Sequence, residues 1–239
     1  MKKTILVADH AQAYLKHISN ILRRMGFNVY PVEKAQHILK VLKSRTADLI
    51  MIDEDISSKH IGEILDWLKQ NENTAKIPVI LMTSNPKDEM SNVCKLHGCT
   101  EYLKKPTSLL ALHQILQDNI YAPLGYTRKY MRVEYSNKVS VLYKGASYDY
   151  TLESLSEGGV YIATGSPLPL GSEVEVFLEL ENNFTLDLEG TVIYVNKLSA
   201  DESKIPNGMA VEFSTLDDDK LHVITDFVKW LLLSPTTKE

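Results

Sequence analysis

Asp9, Asp53, Thr83 and Lys105 lie far apart in the 239-residue chain, yet each falls at or just after the end of a short apolar run. Brought onto one rim, two carboxylates, a hydroxyl and an ammonium suit cation-assisted phosphoryl transfer to a carboxylate. The cation and the lysine would neutralise the incoming group, and the hydroxyl would hold one of its oxygens. A second set follows later. Arg128 and Arg132 stand four residues apart with Lys129 between them and Lys138 nearby, and Ser154, Ser156, Gly158 and Gly159 come about twenty residues on. Guanidinium forks grip phosphate, hydroxyls donate to phosphate oxygens, and glycines let a backbone approach closely.

The elements that must position these residues are legible as hydrophobic period. Apolar runs Thr4–Ala8, Asn28–Val32, Leu49–Ile52, Val79–Met82 and Tyr102–Leu103 alternate with stretches of helical spacing, such as Leu15, Ile18 and Leu22. Five β-α units of this kind predict a parallel five-stranded sheet covered by helices, in which chemistry collects at the carboxyl ends of the strands. Between Asp118 and Tyr126, Asn119, Pro123 and Gly125 interrupt the helical spacing and predict a boundary. Seven β-rich runs follow, Val139–Tyr143, Tyr148–Leu152, Val160–Ala163, Val174–Leu180, Phe184–Leu188, Thr191–Val195 and Met209–Phe213. Turn sequences such as Lys144-Gly145, Gly158-Gly159 and Asn182-Asn183 separate them, the rhythm of a small antiparallel barrel. A helix over Leu216–Leu233, acidic in its first turn at Asp217 to Asp219, closes the pattern. The expected division is residues 1–120, a linker at 121–127, and 128–239.

Composition narrows the function classes. A net charge of −5 gives no global basic field, which argues against DNA binding and leaves room for a small anion at the arginine cluster. No apolar run reaches the length of a membrane span, and the stretch after Met1 stops at Asp9, too short for a signal-peptide core, so a cytoplasmic protein without membrane insertion is expected. Cys94 and Cys99 are too few for a disulfide framework and lack metal-ligand spacing, so they read as ordinary structural cysteines. No further nucleophile triad, HExxH or Walker pattern occurs, and an enzyme is not expected.

Through ILVADH, DLIMIDED, PVILMTS and YLKKP, residues 3 to 120 resemble the receiver domain of response regulators. The resemblance implies a flavodoxin-like (βα)5 fold, phosphorylation of Asp53 by a histidine kinase, and a magnesium ion held by Asp9 and Asp53. It implies Thr83 as the switch hydroxyl, Tyr102 as the coupled aromatic, Lys105 as the phosphate contact, and a cis peptide at Lys105-Pro106. The chain departs from the family where a second acid should follow Asp9, because His10 stands there. Imidazole is a poor ligand for magnesium, so weakened metal binding is expected. Ser57 replaces the usual proline, Gly62 arrives one residue late, and Ser84 stands where a smaller residue is usual.

Residues 125 to 233 resemble a PilZ domain, on RxxxR at Arg128 and Arg132, SxSxxG from Ser154 to Gly159, the strand-like GMAVEF and the final helix. The resemblance implies a small antiparallel barrel closed by a C-terminal helix. It also implies binding of cyclic di-GMP through Arg128, Arg132, Ser154, Ser156 and Gly159. Ser154 occupies a position where the family has Asp or Asn, and a short hydroxyl lacks their reach as an acceptor toward guanine. The reading is therefore a signalling protein that binds cyclic di-GMP and relays it by a change in domain arrangement or in contact with a downstream protein. The alternative is an interaction adaptor with a pseudo-receiver and a PilZ domain that binds no nucleotide.

Overall fold

The computed structural model describes residues 2–56, 61–84, 88–180, 184–197 and 206–234; Ser57 and the Asn182-Asn183 turn lie outside them. The chain forms two compact units, Lys2–Lys129 and a second that begins at Tyr130.

In the first unit strands and helices alternate strictly: β1 (Thr4–Ala8), α1 (Gln12–Arg24), β2 (Asn28–Val32), α2 (Ala35–Ser44), β3 (Leu49–Asp53), α3 (Ile61–Gln70), β4 (Val79–Thr83), α4 (Asp88–His97), β5 (Glu101–Lys104) and α5 (Leu109–Leu116). The sheet order is β2-β1-β3-β4-β5, with every neighbouring pair parallel. All five residues of β3 and of β4 are buried. That explains their unbroken apolar runs, since a parallel sheet is covered on both faces. The chain order reverses between β1 and β3, the switch point at which α/β sheets open a crevice beyond their carboxyl ends. Asp9 and Asp53 lie there.

Two local features differ from the sequence reading. Cys94, near the end of α4, and Cys99, just before β5, are joined in a disulfide rather than standing as separate structural cysteines. A helix end and a strand start five residues apart bring their Cα atoms to 4.5 Å, within bridging range. Asn119 and Pro123 do not stop the last helix, because α5 runs on through a π-helical turn at Gln117–Tyr121 and a 3-10 turn at Ala122–Leu124. Asn119 donates to the Ile115 carbonyl, and Pro123 sits in the first turn of the 3-10 segment, where its missing N–H costs nothing. Gly125, at φ +81°, ends the helical path in a conformation that disfavours any side chain.

The second unit is a closed barrel of β6 (Arg132–Tyr143), β7 (Ala146–Ser156), β8 (Gly159–Ala163), β9 (Glu173–Glu179), β10 (Thr185–Asn196) and β11 (Gly208–Phe213), in the order β10-β11-β8-β7-β6-β9. Every neighbouring pair is antiparallel. Six strands replace seven expected runs, because Thr191–Val195 and all of Phe184–Leu188 but Phe184 itself fall in the single strand β10. That strand pairs with β9 over its first half and with β11 over its second. The barrel interior is filled by alternate residues such as Val139, Val141, Val176, Leu178, Leu186 and Leu188. Helix α6 (Asp218–Leu233) is capped by the Asp217 carboxylate, which accepts from the Lys220 N–H, and it packs against β6 and β7. Ile224, Phe227, Val228, Leu231 and Leu232 form its buried face, with Phe227 edge-on to Tyr135 of β6.

Candidate functional site

The rim of the parallel sheet gathers the four residues singled out by chemistry. Asp9 follows β1, Asp53 ends β3, Thr83 ends β4, and Lys105 follows β5. Asp9, Asp53 and Thr83 are almost completely buried. Lys105 Nζ donates to Asp53 Oδ1 at 2.7 Å and to Asp9 Oδ2 at 2.9 Å. Burial pulls the lysine's pKa down, but its hydrogen bonds to Asp53 and Asp9 outweigh that and hold it above the ordinary lysine value. The Tyr14 ring lies 5.0 Å from Nζ, with its hydroxyl bonded to Thr107. Thr83 Oγ1 donates to Glu54 Oε1, Tyr102 is 42% exposed on β5, Ser84 is exposed, and Lys105-Pro106 is cis. Gly62 lies buried in α3, where the imidazole of His97 occupies the space a Cβ would need.

His10 does more than vacate an acid. Its Nδ1 lies 2.6 Å from Asp53 Oδ2 and 4.0 Å from Asp9 Oδ1. Asp9 Oδ1 also accepts from the Ala11 N–H. Among the described residues, the side-chain atoms grouped to face a cation at this rim are two carboxylate oxygens and one imidazole nitrogen, with an ammonium already bonded to both acids. That set is a poorer match to magnesium, which takes oxygen ligands in near-ideal octahedral geometry, than an all-carboxylate one.

The second set divides between the two units. Arg128 belongs to the first, where the side chain of Gln117 clasps its backbone: Oε1 accepts from the Arg128 N–H at 2.7 Å, and Nε2 donates to the Arg128 carbonyl at 2.6 Å. His113 Nε2 lies 3.1 Å from the same carbonyl, and the Arg128 guanidinium lies 4.4 Å from the centroid of the Tyr121 ring. None of these partners was foreseen. They lie 7 to 15 residues upstream, on a helical path that the sequence reading interrupts from Asp118 on.

Arg132 opens β6 and pairs with Ser156 of β7, while Ser154 pairs with Glu134. Ser154 is nearly buried and follows a register shift against β8, an irregularity with no signature in the sequence. Ser156 Oγ donates to the Gly159 carbonyl and closes the hairpin between β7 and β8. A Cβ on Gly159 would collide with the Val211 carbonyl of β11, and one on Gly158 would collide with the Tyr130 ring. Both glycines admit neighbouring parts of the barrel unit itself.

A family model for the response regulator receiver domain matches residues 5–117, and one for the PilZ domain matches residues 126–230. The polar-differentiation response regulator DivK of Brucella ovis is 23% identical over 109 residues, which cover 46% of this chain and 89% of that protein. Among solved structures, the chemotaxis protein CheY4 of Vibrio cholerae is similar with a TM-score of 0.48 and 19% identity, over 50% of this chain and 100% of its own. The receiver domain of a sensor histidine kinase from Pseudomonas aeruginosa, solved with a magnesium ion in its active site cleft, gives 0.47 and 23% over 50% and 98%. Residues 5–117 are thus a response regulator receiver domain and residues 126–230 a PilZ domain, and the chain belongs to the response-regulator type of signalling protein.

Proposed function

We propose that this protein is a cytoplasmic cyclic di-GMP effector, which binds the nucleotide through its PilZ domain and relays binding as a change in domain arrangement or partner contact. The observation that carries the reading is the β6–β7 register. It sets Arg132 beside Ser156 and places Ser154 two residues along β7, next to the hairpin that Gly159 completes. Arg128 supplies the second guanidinium. Each charge-assisted hydrogen bond contributes about 1.5 to 3 kcal/mol. Two arginines therefore account for roughly half of a micromolar affinity, near 8 kcal/mol. Calorimetric titration of the wild type beside Arg128→Ala and Arg132→Ala tests this. Binding by the wild type and its loss in both variants is the expected result; a wild type that takes up no nucleotide overturns it.

The receiver domain offers a second input, a phosphoryl group on Asp53 delivered by a histidine kinase. Lys105 and Thr83 stand at the rim to hold its oxygens, while His10 occupies one carboxylate oxygen of the acceptor. Intact-mass measurement after treatment with a small phosphodonor checks this input, and a chain left unmodified removes it. A purely adaptor role is the second reading, favoured by Ser154, whose near-buried hydroxyl stands in place of a longer acceptor.

A further inference from the structure

The poorer match to magnesium has a positive counterpart. Lys105 takes Asp9 Oδ2 and Asp53 Oδ1, so the oxygens turned to the other side are Asp9 Oδ1, which also accepts from the Ala11 N–H, and Asp53 Oδ2. His10 Nδ1 faces both, at 4.0 and 2.6 Å, and the three residues can each bring one ligand atom within 4.8 Å of the others. We propose that Asp9, His10 and Asp53 form a binding site for a divalent first-row transition-metal ion of the cobalt, nickel and zinc class, with His10 as a direct ligand and selectivity against magnesium.

Three physical arguments support this. Imidazole nitrogen suits borderline ions of this class, whereas magnesium prefers carboxylate, carbonyl and water oxygen. Bonds of about 2.0 to 2.2 Å to nitrogen and carboxylate oxygen place adjacent donors roughly 3 Å apart. The Nδ1 to Asp53 Oδ2 separation of 2.6 Å needs to open only slightly and the 4.0 Å separation to close, and the half-exposed His10 side chain can supply both by rotation. The ammonium of Lys105 also offsets one of the two carboxylate charges. That weakens a hard ion, held chiefly by charge, more than an ion that gains from the nitrogen donor. Water completes the coordination from the open side, since the His10 side chain is 53% exposed while both acids are buried.

Cobalt is the informative probe because its visible spectrum reports the ligand set. Chelator-stripped full-length protein would be titrated with Co2+ in the presence and absence of excess Mg2+, beside His10→Ala, His10→Asp and Asp53→Asn. Wild type is expected to bind one Co2+ with at least tenfold preference over Mg2+. His10→Ala should lower Co2+ affinity at least tenfold and change the spectrum, Asp53→Asn should weaken binding as well, and His10→Asp should shift preference back toward Mg2+. His10 is exposed, so its variants should keep the wild-type circular dichroism, and Asp53→Asn separates this rim from other surface histidines. An unchanged Co2+ affinity and spectrum in His10→Ala, or equal affinity for the two ions in wild type, overturns the proposal. Neither outcome bears on nucleotide binding, which is measured separately.

Discussion

Lys105 is the residue on which the receiver rim depends electrostatically. It is largely buried and bonds two carboxylates that are themselves sealed from water. Removing one partner of such a network leaves uncompensated buried charge, so Lys105→Met is expected to cost about 3 to 5 kcal/mol in chemical denaturation. The pH dependence has a definite sign. Lys105 is held above its ordinary value by Asp53 and Asp9 against the opposing effect of burial. Its contribution is therefore complete below the unfolded lysine value near pH 10.4, and it is lost only as pH rises through the higher folded value. The gap in stability between wild type and Lys105→Met should stay flat from neutral pH to pH ~9 and narrow only above ~10.4; a gap that closes between pH 7 and 9 would refute the assignment. Ser154 poses the opposite kind of question, that of a missing acceptor. Restoring a carboxylate by Ser154→Asp should tighten cyclic di-GMP binding about tenfold, the value of one charge-assisted hydrogen bond at the lower end of its range. Calorimetry reads this directly, and an unchanged or weaker affinity would show that the position does not face the nucleotide.

Among the elements, the last helical path of the receiver unit carries the least expected information. The Arg128 guanidinium rests over Tyr121, a contact worth about 0.5 to 2 kcal/mol that a bound nucleotide must replace. Tyr121→Leu should therefore raise cyclic di-GMP affinity about two- to thirtyfold, since each 1.4 kcal/mol is a factor of ten. Tyr121 also packs against Phe27 and Tyr126, so the same variant should unfold somewhat earlier. Affinity that falls instead would mean that the ring holds Arg128 ready for the ligand. The sequence made the parallel strands legible because burial on both faces leaves continuous apolar runs, and it placed Asp9, Asp53, Thr83 and Lys105 because those runs end at the rim. Three features escaped it. The joining of two runs into β10 depends on which neighbour each half pairs with. The Cys94–Cys99 bridge depends on how the α4–β5 turn folds back. The grip of Gln117 on Arg128 depends on a helix running past residues that usually break one. Each is a matter of tertiary approach, which local composition does not encode. His10 was legible as a missing acid but not as a partner of Asp53, because spacing along the chain says nothing of a contact 43 residues away.

At the scale of the whole molecule, Arg128, one of the residues proposed to take the nucleotide, is bonded within the first compact unit. Recruitment of the Arg128 guanidinium by a ligand competes directly with its contact to the Tyr121 ring, and it pulls against the hold of Gln117 and His113 on the Arg128 backbone. A ligand shifts such an equilibrium only by its differential affinity for the two states. The nucleotide must gain more from the guanidinium than the roughly 0.5 to 2 kcal/mol the ring contact supplies. The consequence is readable far from the nucleotide. Loss of the clasp should loosen the π-helical and 3-10 turns at Gln117–Tyr121 and Ala122–Leu124, which end at Gly125 and depend on the final helical turns for their backbone bonds. Amide hydrogen exchange across residues 117 to 124 should therefore quicken when saturating cyclic di-GMP is added to wild type. Arg132→Ala, which should not bind, ought to show no change, while Gln117→Ala should exchange quickly without ligand. If exchange in this segment is the same with and without bound nucleotide, binding leaves Arg128 in the grip of Gln117 and the relay between the domains must run through other residues.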